Sequence, residues 1–145
     1  MFFGQHHRAL DENSRLEMPS GFHKALSAGA YVTQGFDRNV WVLPAQAFQE
    51  ICQRVSAMNL ADPQARLLQR MILGAASELD VDGAGGCLIP KNLREFAGLG
   101  SEAILVGQGG YFEVWSPAHW REQEIQIQDV ETNAQRFATL DITIA

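Results

Sequence analysis

The pattern of apolar and polar positions along the chain occurs twice. Leu10–Leu26 reads LDENSRLEMPSGFHKAL and Val81–Ala97 reads VDGAGGCLIPKNLREFA, and the two stretches align at a constant offset of 71 residues. Three pairs of residues mark this register: Asp11 with Asp82, Leu16 with Cys87, and Pro19 with Pro90. The order of elements predicts that the chain contains two copies of one structural unit, that is, an internal repeat.

Each unit is predicted to consist of a strand, a tight turn, a second strand, a short helix and a hairpin. Leu16 and Met18 alternate with polar neighbours, which is typical of a half-buried strand. Pro19 and Pro90 mark helix starts, the short helices are expected to end near Gly29 and Gly98, and QGFDRNV and GQGGYF are typical of hairpin turns. Two such units that interleave into a closed barrel would remove exposed strand edges.

Helices are predicted between and after the units. One begins at Pro44, with apolar residues at helical spacing. A second begins at Asp62–Pro63 and carries the apolar residues Leu67, Leu68, Met71 and Ile72 at helical spacing. A third helix is expected from Pro117, with Trp120 on its apolar side. After about residue 129 no helical pattern is evident, and the end FATLDITIA alternates as an added edge strand would, or is a mobile terminus.

The pattern therefore predicts an α+β protein, with all parts in one compact domain. The expected divisions are a first repeat over residues 1–51, linker helices over 52–73, a second repeat over 74–128, and a C-terminal tail over 129–145.

Composition is consistent with a single globular domain, since 46% of the 145 residues are hydrophobic and 19% are charged. The net charge of −6 is unevenly distributed: residues 1–76 carry seven basic and six acidic residues, whereas residues 77–145 carry four and eleven. An anionic partner would therefore contact the first half. The two isolated cysteines favour a reducing cytoplasm, and neither a membrane span nor a signal peptide is predicted.

The glycine-rich stretch DVDGAGGCLIP is the first candidate for chemistry. A phosphate-binding loop would have to open a helix, but a β-like run stopped by proline follows these glycines. A calcium loop starting at Asp80 would need Glu at its twelfth position, where Lys91 stands. A tight turn between strands is the better interpretation. No metal-ligand spacing or catalytic motif is found elsewhere, so neither an enzyme nor a cofactor is predicted.

The second candidate is DENSR, Asp11–Arg15. In a structural interpretation, Asp11 accepts hydrogen bonds from the turn and Arg15 pairs with it across the hairpin. In a functional interpretation, the arginine recognises phosphate or guanine while a carboxylate behind it fixes its orientation. The two interpretations are compatible, and the residues alone leave both open.

Several segments together resemble the MraZ family, bacterial transcriptional regulators with two DxxxR motifs on a swapped-hairpin, AbrB-like β-barrel. The matching segments are MFFGQHHRALDENSRLEMP, LADPQARLLQRMILGAA, CLIPKNLREFAGL and FEVWSP. The resemblance covers about residues 1–122 and leaves the tail outside it.

The resemblance implies a cytoplasmic, nucleoid-associated protein that forms closed rings. It also implies binding to short direct repeats in double-stranded DNA upstream of the division and cell-wall gene cluster, usually with repression. In the first DxxxR motif Asp11 and Arg15 are both present, and Arg15 is the expected DNA contact, with Arg8 and Lys24 as further basic residues nearby.

The second motif is degenerate. Asp82 matches the family pattern, but Gly86 occupies the arginine position, so no second recognition arginine is expected. This departure and the acidity of the second half favour an alternative function, an oligomeric ring scaffold or protein-interaction module with weakened DNA binding.

Overall fold

The computed structural model describes residues 1–142 and consists of a six-stranded antiparallel sheet, a two-stranded sheet and six helices. The strands are β1 Gln5–Ala9, β2 Arg15–Glu17, β3 Ala30–Gln34, β4 Val40–Pro44, β5 Ser77–Glu78, β6 Gly86–Leu88, β7 Glu102–Gly107 and β8 Phe112–Trp115. The helices are α1 Ser20–Ala25, α2 Ala45–Ser56, α3 Pro63–Ile72, α4 Lys91–Ala97, α5 Pro117–Gln128 and α6 Val130–Arg136. The predicted α+β class is confirmed.

The two repeats are interleaved in the strand order. The large sheet runs β1-β7-β8-β4-β3-β5, so β1 of the first repeat pairs with the second hairpin, and β5 of the second repeat pairs with the first hairpin. The hairpins meet at the β4–β8 pair, and β2 pairs with β6 in the small sheet. Each repeat therefore covers strand edges of the other, which a single hairpin unit could not do by itself.

Both short helices begin one residue after the predicted prolines. Pro19 and Pro90 are the N-caps, with extended ψ angles of 147° and 145°, and neither contributes a side-chain cap. The second helix ends at Gly98 as predicted, since this glycine adopts the left-handed φ of 69°. The first helix ends at Ala25, earlier than the predicted Gly29, with Leu26 as its C-cap. A turn follows, in which the Gly29 N–H donates to the Leu26 carbonyl at 3.0 Å.

The main core lies between the repeats and draws residues from both. Leu16 and Cys87 are Cα partners in the β2–β6 pair, and each is only 1% exposed. Phe2, Phe22 and Phe112 pack with ring centroids 4.8 to 5.2 Å apart. Burial of this apolar surface from both repeats is the main force that holds them together.

The linker helices form where the sequence predicts them. Phe48 of α2 stacks on Tyr31 of β3 at 4.4 Å, and the Asp62 carboxylate caps α3 by accepting a hydrogen bond from the Gln64 N–H at 2.9 Å. Leu67 is 66% exposed although its spacing placed it with the apolar residues of α3. The expected boundary at residue 51 falls inside α2, which runs continuously from the end of β4.

The tail contains a helix that its apolar pattern does not predict. Polar side chains form it: the Asp129 carboxylate accepts the Thr132 N–H at 3.3 Å, and Asn133 Nδ2 donates to the Gln126 carbonyl at 2.7 Å. Residues 137–142 form no strand, and the rest of the predicted edge strand lies outside the described residues.

No helix within residues 1–142 is both long enough and apolar enough to cross a membrane.

Candidate nucleic-acid interface

A cleft of about 350 Å³ lies where the two repeats meet around β2 and β6. Its lining brings together five of the six residues singled out in the sequence, together with two neighbours: Arg8, Ala9, Asp11, Arg15, Glu17, Asp82 and Gly86. Lys24 does not line the cleft; it is exposed in the last turn of α1.

The Asp11 turn is built from local hydrogen bonds. The Oδ1 atom of Asp11 accepts the backbone N–H groups of Asn13 at 2.8 Å and Arg15 at 2.9 Å. The backbone N–H of Asp11 donates in turn to the Arg15 carbonyl at 3.0 Å. Ser14 adopts a positive φ of 61°, which reverses the chain direction. These contacts fix the backbone of Arg15 at the start of β2.

The Asp82 turn repeats this geometry. Oδ1 of Asp82 accepts the N–H groups of Ala84 at 2.9 Å and Gly86 at 2.8 Å, and Gly85 takes the positive φ, 87°, at the position equivalent to Ser14. These two backbone donors, that of Gly86 first, and to a smaller extent Arg15 hold the pKa of the Asp82 carboxyl below its ordinary value. The prediction of a tight turn between two strands is confirmed.

The structural interpretation of DENSR predicted that the Arg15 side chain pairs with Asp11. This prediction was wrong. The Nη2 atom of Arg15 donates to Oδ2 of Asp82, in the other repeat, at 3.0 Å. The pairing of β2 with β6 sets the two turns side by side, whereas Asp11 directs Oδ1 at the backbone of its own turn. The Arg15 and Asp82 side chains are 43% and 51% exposed, so the pair contributes little to stability and remains accessible from solvent.

The cleft carries more negative than positive charge. Arg8 and Arg15 are its two cations, and Asp11, Glu17 and Asp82 are its three carboxylates. Arg8 is half-buried, and its Nη1 atom donates to the neighbouring His7 carbonyl at 2.9 Å. Glu17 was not among the residues that the motifs singled out, although its place two residues after Arg15 on a strand predicts that both side chains lie on the same face.

Gly86 leaves room for the Asp82 carboxylate. A Cβ atom at position 86 would lie 2.7 Å from Oδ2 of Asp82, the oxygen that accepts the Arg15 bond. A side chain here would therefore have to displace that oxygen. The absence of a side chain at position 86 therefore leaves Oδ2 of Asp82 in place to accept the hydrogen bond from Arg15.

Within residues 1–142, no group of three or more His, Cys, Asp or Glu side chains is arranged to hold a metal ion. Burial raises the pKa of the Cys87 thiol to about 11, so this cysteine next to the cleft is protonated at neutral pH and unreactive as a nucleophile.

Comparison with known proteins agrees with the duplicated architecture. The family described as "MraZ protein, putative antitoxin-like" matches the chain twice, over residues 1–71 and residues 72–141. The second match reaches residue 141, so the expectation that the family likeness stops near residue 122 was wrong.

Curated relatives match over nearly their whole length. A protein of Roseiflexus castenholzii named Transcriptional regulator MraZ is 38% identical over 138 residues, covering 95% of this chain and 94% of the relative. A protein of the same name from Thermomicrobium roseum is 38% identical over 141 residues, covering 97% and 99%. One from Moorella thermoacetica is 32% identical over 143 residues. With both halves matched by the family and relatives above 30% identity over almost the full chain, this protein belongs to the MraZ family.

Proposed function

We propose that this protein is a sequence-specific DNA-binding transcriptional regulator and that Arg15 is its principal contact to DNA. The observation that carries the proposal is the presentation of Arg15. Its backbone is held by the Asp11 turn, and its guanidinium lies at an open cleft with one hydrogen bond, to Asp82. Within residues 1–142 its Nε and Nη1 atoms donate to no other group. An arginine held this way suits a guanine edge or a phosphate.

The proposed target is a set of short direct repeats in the DNA upstream of the protein's own division and cell-wall gene cluster, where binding represses transcription. The name Transcriptional regulator MraZ, which curated relatives carry, supports the general role of a DNA-binding regulator. The proposed location is the cytoplasm, in association with the nucleoid. The absence of enzymatic activity remains a prediction.

The regulator is proposed to act as a closed ring, which multiplies the weak contacts of single subunits when DNA repeats match their spacing. Large apolar side chains exposed on α5 and α6 support assembly, since a monomer rarely leaves so many in one region. They are Ile125, Ile127 and Val130, which are 58 to 74% exposed. The interleaved strand order supports an AbrB-type swapped-hairpin barrel as the body of each subunit. Sedimentation velocity would measure the assembly, and a monomer at micromolar concentration would contradict it.

Replacement of Arg15 by alanine tests the DNA contact. Fluorescence anisotropy with a labelled duplex from directly upstream of the coding sequence is expected to show a loss of affinity of about five- to 150-fold, because one good arginine contact is worth about 1–3 kcal/mol. Arg54→Ala is the matched control, since Arg54 is an exposed arginine on α2 that does not line the cleft. Equal affinities for the wild type and Arg15→Ala would contradict the proposal.

The excess of carboxylates in the cleft favours the second candidate function, a ring scaffold or protein-interaction module that binds DNA weakly or not at all. The two candidates differ in salt dependence. A DNA-binding regulator binds the upstream DNA tightly at low salt and loses affinity steeply as salt rises, because cations are released from the phosphates. A scaffold binds this DNA weakly or not at all even at low salt.

A further inference from the structure

The two oxygens of the Asp82 carboxylate have separate partners. Oδ1 accepts both turn N–H groups, from Ala84 and Gly86, and so fixes the carboxylate within its own repeat. Oδ2 accepts Nη2 of Arg15 from the other repeat at 3.0 Å. A residue of the degenerate motif therefore holds the side chain of the intact motif.

Asp11 provides the contrast. Its Oδ1 accepts the equivalent two turn N–H groups, but within residues 1–142 its Oδ2 receives no hydrogen bond. The repeat symmetry explains why: the partner equivalent to Arg15 would stand at position 86, which is glycine. The two aspartates thus stabilise their turns in the same way, but only Asp82 has an arginine partner.

We propose that Asp82 is a positioning residue that makes Arg15 selective for the neutral acceptors of a base edge over phosphate. This inference rests on the proposed DNA-binding function. The Asp82 carboxylate offsets the charge of the guanidinium it holds, and Glu17 and Asp11 add negative charge to the same cleft. Phosphate is repelled by these carboxylates, whereas the uncharged O6 and N7 acceptors of guanine are not.

The geometry leaves Arg15 able to make such a contact. A guanidinium has five N–H donors, and the Asp82 bond is to a single nitrogen, Nη2. Four of the five N–H donors remain, one on Nε, two on Nη1 and one on Nη2, so the guanidinium can still donate to two further acceptors. Asp82 limits the directions that the fork can take, and this reduces the conformational freedom lost on binding.

Asp82→Asn and Asp11→Asn form a matched pair. Each removes one negative charge from the cleft, and each keeps an amide oxygen that can accept the two turn N–H groups. Only Asp82→Asn removes the carboxylate oxygen that holds Arg15. Anisotropy is measured with two duplexes across a salt series: the DNA directly upstream of the coding sequence, and a scrambled duplex of the same length and base composition.

Asp82→Asn is expected to bind the scrambled duplex about three- to tenfold more tightly, with a salt slope steeper by about one ion per engaged subunit, as Arg15 becomes a phosphate contact. Its preference for the upstream duplex falls by a similar factor. Asp11→Asn also loses one negative charge but leaves the Arg15–Asp82 hydrogen bond in place, so its preference for the upstream duplex is expected to fall by clearly less than that of Asp82→Asn. Thermal melting followed by circular dichroism establishes that both variants fold; if Asp82→Asn does not, Asp82→Ser retains one oxygen for the turn and serves instead.

Equal changes in the two asparagine variants would overturn the proposal, because net charge alone would then explain them. Weaker binding of both duplexes by Asp82→Asn would also overturn it, since Asp82 would then be a structural support. Failure of the proposed function looks different: the wild type would bind neither duplex, or Arg15→Ala would bind like the wild type, and this inference would fall with it.

Discussion

The Asp11 and Asp82 turns share one backbone geometry and differ in the side chain that follows it. Each aspartate accepts two turn N–H groups at 2.8 to 2.9 Å, and each turn has one residue of positive φ, Ser14 or Gly85. Only the first turn ends in an arginine. The turn is therefore maintained without the arginine, and its structural and recognition roles reside in different residues.

The paired strands after the turns differ in how much each contributes to the core. Leu16 and Cys87 face each other and are both 1% exposed, but leucine has the larger apolar side chain. Leu16→Ala is expected to lower the free energy of unfolding by about 2–5 kcal/mol. Cys87→Ala is expected to lower it by about 1 kcal/mol, close to the transfer free energy of one buried methylene. Urea denaturation measures both, and equal losses would show that the small sheet does not depend on leucine packing.

The positive-φ positions are expected to respond in opposite directions. Gly85→Ser places a side chain at φ 87°, 3.3 Å from the Met18 carbonyl, and is expected to destabilise the protein by about 1–2 kcal/mol. Ser14→Gly removes the same penalty from the first turn and is expected to stabilise by up to about 1 kcal/mol. Melting temperatures of the two variants would check this, and stabilisation by Gly85→Ser would contradict the shared turn geometry.

Gly86→Arg would make the two motifs alike. The repeat symmetry places the new guanidinium next to Asp11, whose Oδ2 has no hydrogen-bond partner within residues 1–142. Affinity for the upstream duplex is expected to rise up to about tenfold, which corresponds to about 1.4 kcal/mol. Gly86→Ala is the control, because it also crowds Oδ2 of Asp82 but adds no charge. Equal affinities of Gly86→Arg and Gly86→Ala for the upstream duplex would show that a second arginine adds no DNA contact.

The smallest effect concerns the titration of Asp82. Because its folded-state pKa is lowered, the carboxylate form is favoured by folding; this stabilisation is complete above the unfolded pKa of about 3.9 and is lost as pH falls through the folded value. NMR titration of the carboxyl carbon is expected to give a midpoint below that of an unfolded peptide. In Arg15→Ala the midpoint should rise but stay low, since the backbone N–H groups of Gly86 and Ala84 are the larger causes. A titration midpoint at the ordinary value in Arg15→Ala would show instead that Arg15 is the main cause of the lowered pKa.

Local patterns predicted much of the fold because local forces produce it. The repeat, the tight turns, the proline-led helices and the Asp62 cap depend on hydrogen bonds and backbone angles within a few residues. The α6 helix was missed because Asp129 and Asn133 hold it through polar bonds, so it lacks the apolar spacing that marks a helix. Leu67 was expected on the apolar face of α3 but is exposed. The spacing of apolar residues along a helix does not show which of them will pack against another element.

By itself the sequence determined that the chain holds two copies of one unit and that only the first copy keeps its arginine. Asp11 and Arg15 share a turn in any arrangement of the repeats, because they are only four positions apart in the sequence. Only the tertiary structure decided that Arg15 pairs with Asp82, which is 67 residues away, and that Glu17 lines the same cleft. The reason is physical: the buried core drives the interleaving of the repeats, and the resulting β2–β6 pair places the second turn within reach of the first turn's arginine.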